Sequence, residues 1–515
     1  MVFDMHLLEL CASWMAGRIR RNCPRKTCVW RFLGISAALL VAACTVGPDF
    51  KRPAAPAVNG YTPEPLSALP KSADIPGGEA QSFMQGLDIP EQWWTLFHSE
   101  PLNNLIGQAL KANPNAQAAQ AALRVAMENA YAQNGAFYPA IEASFSPSRQ
   151  KNAVGTLAPT LSSGAPIFNL FTAQVSVSYV LDVFGANRRQ AETLEALAEF
   201  QRFQLEATYL TLTSNVVAAA VQEASLRAQI AATQEVINFE TEQLDLLRRE
   251  YELGAIAESN VLAQEAALAQ TRTTLPPLQK QLAQQRDSLT ALLGRFPSDE
   301  PSEKFELSML QLPQDLPVSL PSRLVEQRPD VRSAEAQLHA ASAQVGVAVA
   351  NMLPQFTISA NVGSVATEMG QLFTGGTNFW SLAGNLAQPI FEGGTLLHKK
   401  RAAEAAYDQA AAQYRSTVIT AFQNVADTLH ALQNDANSLK AASDAERAAS
   451  ESLKIARRQL QLGDISYLAL LNAEQTYQQA VIILVQARAN RYADTAALFQ
   501  ALGGGWWNRS DLSRN

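Results

Sequence analysis

The sequence predicts a mixed α and membrane-β protein in which each chain lends four strands to a barrel shared between copies. Three observations carry that expectation. The chain is written twice over about 200 residues. Each copy holds two strands with alternating apolar and polar faces, and each then enters a stretch of nearly 70 residues without a Gly or a Pro. The whole has 515 residues, 47% hydrophobic and 17% charged, which excludes wholesale disorder and collagen-like or mucin-like low complexity.

The N-terminus reads as a leader. Residues 1–43 hold six Arg/Lys against Asp4 and Glu9, so the net −7 of the chain leaves about −11 on the remainder. A mildly acidic body gives no electrostatic reason to expect nucleic acid as a partner. The basic stretch Arg18 to Arg31 precedes the short apolar run FLGISAALLVAA, the pattern of a secretory signal, with Met15 as an alternative start. All four cysteines, Cys11, Cys23, Cys28 and Cys44, lie in the first tenth of the chain, so no disulfide framework is available downstream. Leu40-Val-Ala-Ala-Cys44 resembles a bacterial lipobox, which makes Cys44 the first mature residue and the point of lipidation. Each buried acyl methylene contributes about 0.8 kcal/mol, so two or more chains anchor stably. Thr45 stands where an Asp would resemble an inner-membrane retention signal, which favours the outer membrane of a Gram-negative bacterium. This covalent lipid on Cys44 is the one non-protein group expected.

Residues 44–91 are rich in Pro, Ala, Ser and Gly and read as an extended strap. The first repeat covers 92–300, a linker 301–321, the second repeat 322–505 and a tail 506–515. Pro114, Ala119, Leu123, Ala126, Pro139 and Ser144 find Pro329, Ala334, Leu338, Ala341, Pro354 and Ser359 at a constant offset of 215. Further on, Arg248-Arg249 and Arg457-Arg458, Leu253-Gly254 and Leu462-Gly463, Glu265 and Glu474, and Leu293-Gly294 and Leu502-Gly503 match at an offset of 209.

Within each repeat the order of elements is the same. A helix starts at Pro114 or Pro329, where Asn113 suits the N-cap and a Pro in the first turn loses no hydrogen bond. Ile141, Ala143 and Phe145, and then Phe356, Ile358, Ala360 and Val362, alternate with polar neighbours as strands do. The partner strands are Val175 to Val183 and Trp380 to Leu386. Ala186 to Leu253 and Thr395 to Leu462 each predict a helix of about 68 residues, roughly 100 Å long. Gly254 and Gly463 suit the left-handed position that ends a helix, so each long helix turns back at a hairpin tip. The first return helix is expected to be interrupted and kinked at Pro276-Pro277.

After the leader no run of 18 apolar residues exists, so only the strands, each about 9–11 residues, are candidates to cross a bilayer. In hydrocarbon a sheet edge cannot stay unpaired, and four strands are too few to close around a lumen. Several copies must therefore share one barrel, and the physics alone permits three or four.

Lipobox Cys44, Trp93-Trp94-Thr-Leu-Phe97, Leu181-Asp-Val-Phe-Gly185, Leu275-Pro-Pro-Leu278, Gln388-Pro-Ile-Phe-Glu-Gly-Gly394 and Ala501-Leu-Gly-Gly-Gly-Trp-Trp507 together resemble the outer membrane factor family of TolC-like channels. The closest likeness is to its lipoprotein branch, the outer membrane subunits of resistance-nodulation-division (RND) efflux systems. The resemblance implies a homotrimer seated in outer membrane lipid, a twelve-stranded β-barrel continuous with a long periplasmic α-helical barrel. It also implies passive conduction of solutes exported by an inner-membrane RND-type pump through a periplasmic adaptor protein. The tips Gly254, Ala255, Ile256, Gly463, Asp464 and Ile465 would meet the adaptor. Relatives narrow the periplasmic mouth with a leucine and an acidic ring, and the matching residues are Leu468 and Asn472. Asn472 departs from that pattern, so cation selectivity would rest on Glu474 or Asp464 or be absent, and for each of these two a solvated helix residue is the competing reading. Arg248, Arg249, Arg457 and Arg458 complement the helix dipole and are read first as solvated, while staying candidates for the same contact.

An enzyme is not expected. His98, His339, His398 and His430 show no metal-ligand spacing, and there is no P-loop, nucleophile elbow or dinucleotide fingerprint. The alternative to a channel is a periplasm-spanning structural lipoprotein without a pore. Cargo is not legible in either case.

Overall fold

A computed structural model describes residues 45–64, 69–151 and 167–509. In chain order, β1 (Ser82–Gln85) precedes α1 (Glu100–Ala112), α2 (Pro114–Asn134), β2 (Ala140–Lys151), β3 (Ile167–Leu181), α3 (Ala186–Glu252) and α4 (Glu258–Leu292). Then come β4 (Asp315–Val318), α5 (Pro321–Gln327), α6 (Pro329–Ala350), β5 (Gln355–Ala366), β6 (Asn378–Ala387), α7 (Thr395–Leu462) and α8 (Tyr467–Ala501). The series helix, two strands, long helix, return helix thus occurs twice, and α3 and α7 have 67 and 68 residues. Among the described residues no helix is long and apolar enough to cross a membrane.

The chain divides into two compact units, the first comprising residues up to 50, 131–193 and 342–405. It holds an antiparallel four-stranded sheet in the order β2-β3-β5-β6. The register stacks Ile141, Val177, Ala360 and Leu382 in one row and Ala143, Val175, Val362 and Trp380 in the next on the same face. Between them on the other face lie Glu142, Ser176, Asn361 and Ser381, with Asn361 Nδ2 donating to Ser381 Oγ at 3.2 Å. One face is apolar and the other polar, as the period-2 pattern required. The strands are 10 to 15 residues long, somewhat more than expected, and β3 stops at Leu181 rather than Val183. Asp182 ends it: its carboxylate accepts from the backbone N–H groups of Asn187 and Arg188 at 2.9 and 3.0 Å and so caps α3.

The second unit, residues 51–130, 194–341 and 406–515, has an aromatic core in which Trp93 stacks on Phe499 at 5.3 Å and meets Phe97 and Trp94 edge-on. Leu102, Leu105 and Ile106 of α1, Leu289 of α4 and Tyr492 of α8 are fully buried there. The linker expected at 301–321 is more than a connection, because β4 within it pairs in parallel with β1 of the strap. The tail begins with an anchored turn, in which Trp506 Nε1 donates to the Gln327 carbonyl at 2.6 Å.

The duplication extends to individual contacts. Asn113 Nδ2 donates to the Leu292 carbonyl at 2.9 Å, and Arg328 Nη1, at the equivalent place, donates to the equivalent Ala501 carbonyl at 2.8 Å. Asn113 Oδ1 also accepts from the Asn115 and Ala116 N–H groups, as an N-cap should. Gly294 and Gly503, both at positive φ, pass so close to the Ala112 and Gln327 carbonyls that a Cβ would sit 2.5 and 2.6 Å away. The expected interruption at Pro276-Pro277 does not occur: α4 runs unbroken through both prolines. Both prolines are exposed, so water can meet the backbone carbonyls that they leave without donors.

Candidate functional site

Each long helix ends as its glycine dictates. Gly254 and Gly463 have φ of 72° and 76°, and the Ala255 and Asp464 N–H groups reach back to the Glu250 and Gln459 carbonyls at 2.8 and 2.9 Å. Ala255 and Asp464 are exposed, whereas Ile256 and Ile465 turn inward against the core between the hairpins. What the two tips present to solvent instead is Leu253 and Leu462, 84% and 60% exposed. These leucines occupy matching positions of the repeat, each directly before the cap glycine of its tip.

The tip core joins both hairpins. Leu244 and Leu247 of α3, Val261 and Leu268 of α4, Leu453 and Ala456 of α7, and Leu470 and Leu471 of α8 form one buried cluster. On α8, Leu468 and Asn472 lie one turn apart and are both exposed, Leu468 by 64%. Ser466 caps this helix, accepting from the Ala469 N–H at 3.4 Å. Leu468 and Asn472 thus project from the same face, away from the core that holds Leu470 and Leu471.

Glu474 is not the solvated residue of the competing reading. It is 3% exposed, and neither carboxyl oxygen has a hydrogen-bond partner. Burial, opposed by Arg457 and reinforced by Glu240, pushes its pKa up to about 7. Arg457 is likewise not solvated: its guanidinium lies 3.8 Å over the Phe239 ring and its Nε is buried without a partner. Arg249 and Arg458 are exposed as expected, and Arg248 pairs with Glu265 at 2.7 Å on the surface. Asp464 remains exposed at the tip.

Cys44 lies outside the described residues, but the chain immediately after it is fixed. Arg189 donates through Nε to the Val46 carbonyl at 3.2 Å and pairs with Asp49 at 2.6 Å and Glu192 at 2.7 Å. Val46 N–H donates to the Phe184 carbonyl, and a Cβ on Gly47 would stand 2.4 Å from the Gly346 Cα. These contacts hold residues 46–49 within the same unit as the apolar-faced sheet.

Comparison with known proteins agrees with this geometry. The profile of the family described as outer membrane efflux protein matches residues 105–295 and 320–504. The chain is 30% identical over 475 residues, 92% of its length, to both the antibiotic efflux pump outer membrane protein ArpC and the toluene efflux pump outer membrane protein TtgC of Pseudomonas putida, covering 95% of each. The solved structure of the outer-membrane channel OprN superposes with a TM-score of 0.79 at 25% identity, covering 90% of this chain and all of that one. The chain belongs to the outer membrane efflux protein family: it is an outer membrane channel protein of efflux, with the TolC-like fold, and not an enzyme.

Proposed function

We propose that three copies of this chain form a lipid-anchored conduit that passively conducts solutes delivered by an inner-membrane RND-type pump through a periplasmic adaptor. The observation that carries the reading is the sheet: one apolar face, one polar face, and both edge strands, β2 and β6, without an outer partner among the described residues. Such a sheet is stable in lipid only when neighbouring copies close it. Fixation of residues 46–49 beside it supports an acylated Cys44 entering the same membrane. Exposed Leu253 and Leu462, flanked by Gly254, Ala255, Gly463 and Asp464, offer apolar knobs for an adaptor, with Ile256 and Ile465 bracing the turns from within.

Leu468 and Asn472, exposed one turn apart, form the constriction in this reading. Three leucines would block by dewetting, and three asparagines would add no charge, so the gate is steric rather than cation-binding. Cargo choice rests with the pump. The two relatives named for an antibiotic and for toluene are equally similar to this chain, which supports a conduit with little recognition of its own.

Single-channel conductance of the detergent-extracted oligomer in planar bilayers tests the proposal. Wild type should conduct weakly, and the double variant Leu468→Gly/Asn472→Gly should conduct several-fold better. Absence of any pore from either folded protein would overturn the conduit; equal conductance would move the constriction elsewhere.

A further inference from the structure

The repeat supplies an internal comparison at the tip. Arg248 and Glu265 of the first hairpin correspond, at the offset of 209, to Arg457 and Glu474 of the second. In the first hairpin the pair is exposed and bonded at 2.7 Å. In the second, the carboxyl is buried with both oxygens unpartnered, and the guanidinium is drawn aside over Phe239. The same two residue types therefore occupy two states in one molecule, one hydrated and paired, the other packed and apart.

Around Glu474 the helices place a polar seam inside an otherwise apolar core. A cavity of about 140 Å³ is lined by Glu474, Arg457, Glu235, Tyr477 and Gln478 together with Phe239 and other apolar side chains. From α3, Glu240 accepts from Thr271 Oγ1 at 3.0 Å through one oxygen, while the other is buried and unpartnered. From α4, Gln264 donates to the Glu240 carbonyl at 2.9 Å and accepts from Tyr467 Oη of α8 at 3.0 Å, and Arg272 acts on Glu240 by its charge. Arg457 of α7 is the cation whose charge acts on Glu474. An ionised carboxylate without a hydrogen bond is costly in such a place, whereas a neutral carboxyl is tolerated.

We propose that Glu474 is a proton-controlled latch of the periplasmic tip: protonated, it lets the two hairpins pack on one another, and on losing its proton to water it draws in water and Arg457 and loosens that packing. The inference rests on the proposed conduit, whose constriction residues Leu468 and Asn472 sit on the same helix. Its sign follows from burial. The carboxyl titrates near 7 in the packed tip and in the ordinary carboxylate range when hydrated. Packing is therefore favoured in full below the ordinary range and is progressively lost as the pH rises to about 7. Asn472 at the constriction does not titrate, and Glu240, whose pKa burial also raises, keeps a hydrogen bond from Thr271, so Glu474→Gln is the variant that assigns the response.

Hydrogen–deuterium exchange of the full-length protein in detergent, followed in peptides spanning residues 453–478 from pH 5 to 8, tests the latch. After correction for the intrinsic rate, wild-type opening should rise by up to about tenfold per pH unit below 7 and then level. Glu474→Gln should stay protected at every pH. Arg457→Met, which removes the cation that favours the ionised form, should move the transition to higher pH. A Glu474→Gln protein with the wild-type profile, a flat wild-type profile, or an unmoved transition in Arg457→Met would each overturn the latch. Conductance measured at the same pH values separates the two readings: an exchange response with no pore leaves the latch standing and removes the conduit.

Discussion

At the scale of single residues, Arg491 shows how strap and body are joined. Its guanidinium is fully buried and donates to Ser72 Oγ at 2.9 Å, to the Gly77 and Glu79 carbonyls at 3.1 and 2.5 Å, and to Gln81 Oε1 at 3.2 Å. Burial lowers its pKa, yet four acceptors hold the charge. Arg491→Met should leave buried carbonyls unpaired, cost about 3 kcal/mol and expose residues 72–81 to protease; unchanged stability and cleavage would show that Arg491 does not hold the strap. None of this was legible in the sequence, because the partners lie more than 400 positions from Arg491 and an Arg in a polar helix reads as solvated. The same limit hid Glu474 and Arg457. The cap glycines Gly254 and Gly463 were legible because backbone conformation, unlike burial, is written locally.

At the scale of elements, the duplicated punctuation made the fold readable. Proline at 114 and 329, glycine at 294 and 503, and glycine at the tips bound the helices closely, and period-2 alternation located all four strands of the sheet. Local rules fell short in both directions: α4 runs unbroken through Pro276-Pro277, and Asp315–Val318, within the expected linker, pair with β1 despite Pro317. The tie between the first short helix pair and the return helix gives a measurable term. Asn113→Ala removes both the cap of α2 and the bond to the Leu292 carbonyl, and is expected to cost about 2 kcal/mol in thermal or denaturant unfolding followed by circular dichroism. Asn113→Ser keeps a capping oxygen and is too short to reach Leu292, so it should recover roughly half. If Ser were no better than Ala, the bond to Leu292 would be the whole of the effect.

At the scale of the whole molecule, the outstanding quantity is the number of copies, which four strands per chain leave open on physical grounds between three and four. The resemblance to TolC-like channels implies three. In an antiparallel strand the backbone N–H groups alternate between its two sides, so of the neighbours Ser381 and Leu382 in β6, one donates toward β5 and the other toward the free edge. Proline at the inward position breaks the sheet of its own chain, whereas proline at the outward position removes a bond that only a neighbouring copy can accept. Ser381→Pro and Leu382→Pro should accordingly separate: one lowers folded protein altogether, and the other yields folded protomers that no longer hold together when gently heated in detergent. Native mass spectrometry of the processed wild type should give three protomer masses. A mass of four would keep the edge-pairing argument and enlarge the barrel, while a wild-type monomer, or an outward proline variant that assembles as well as wild type, would mean that β2 and β6 do not join between copies.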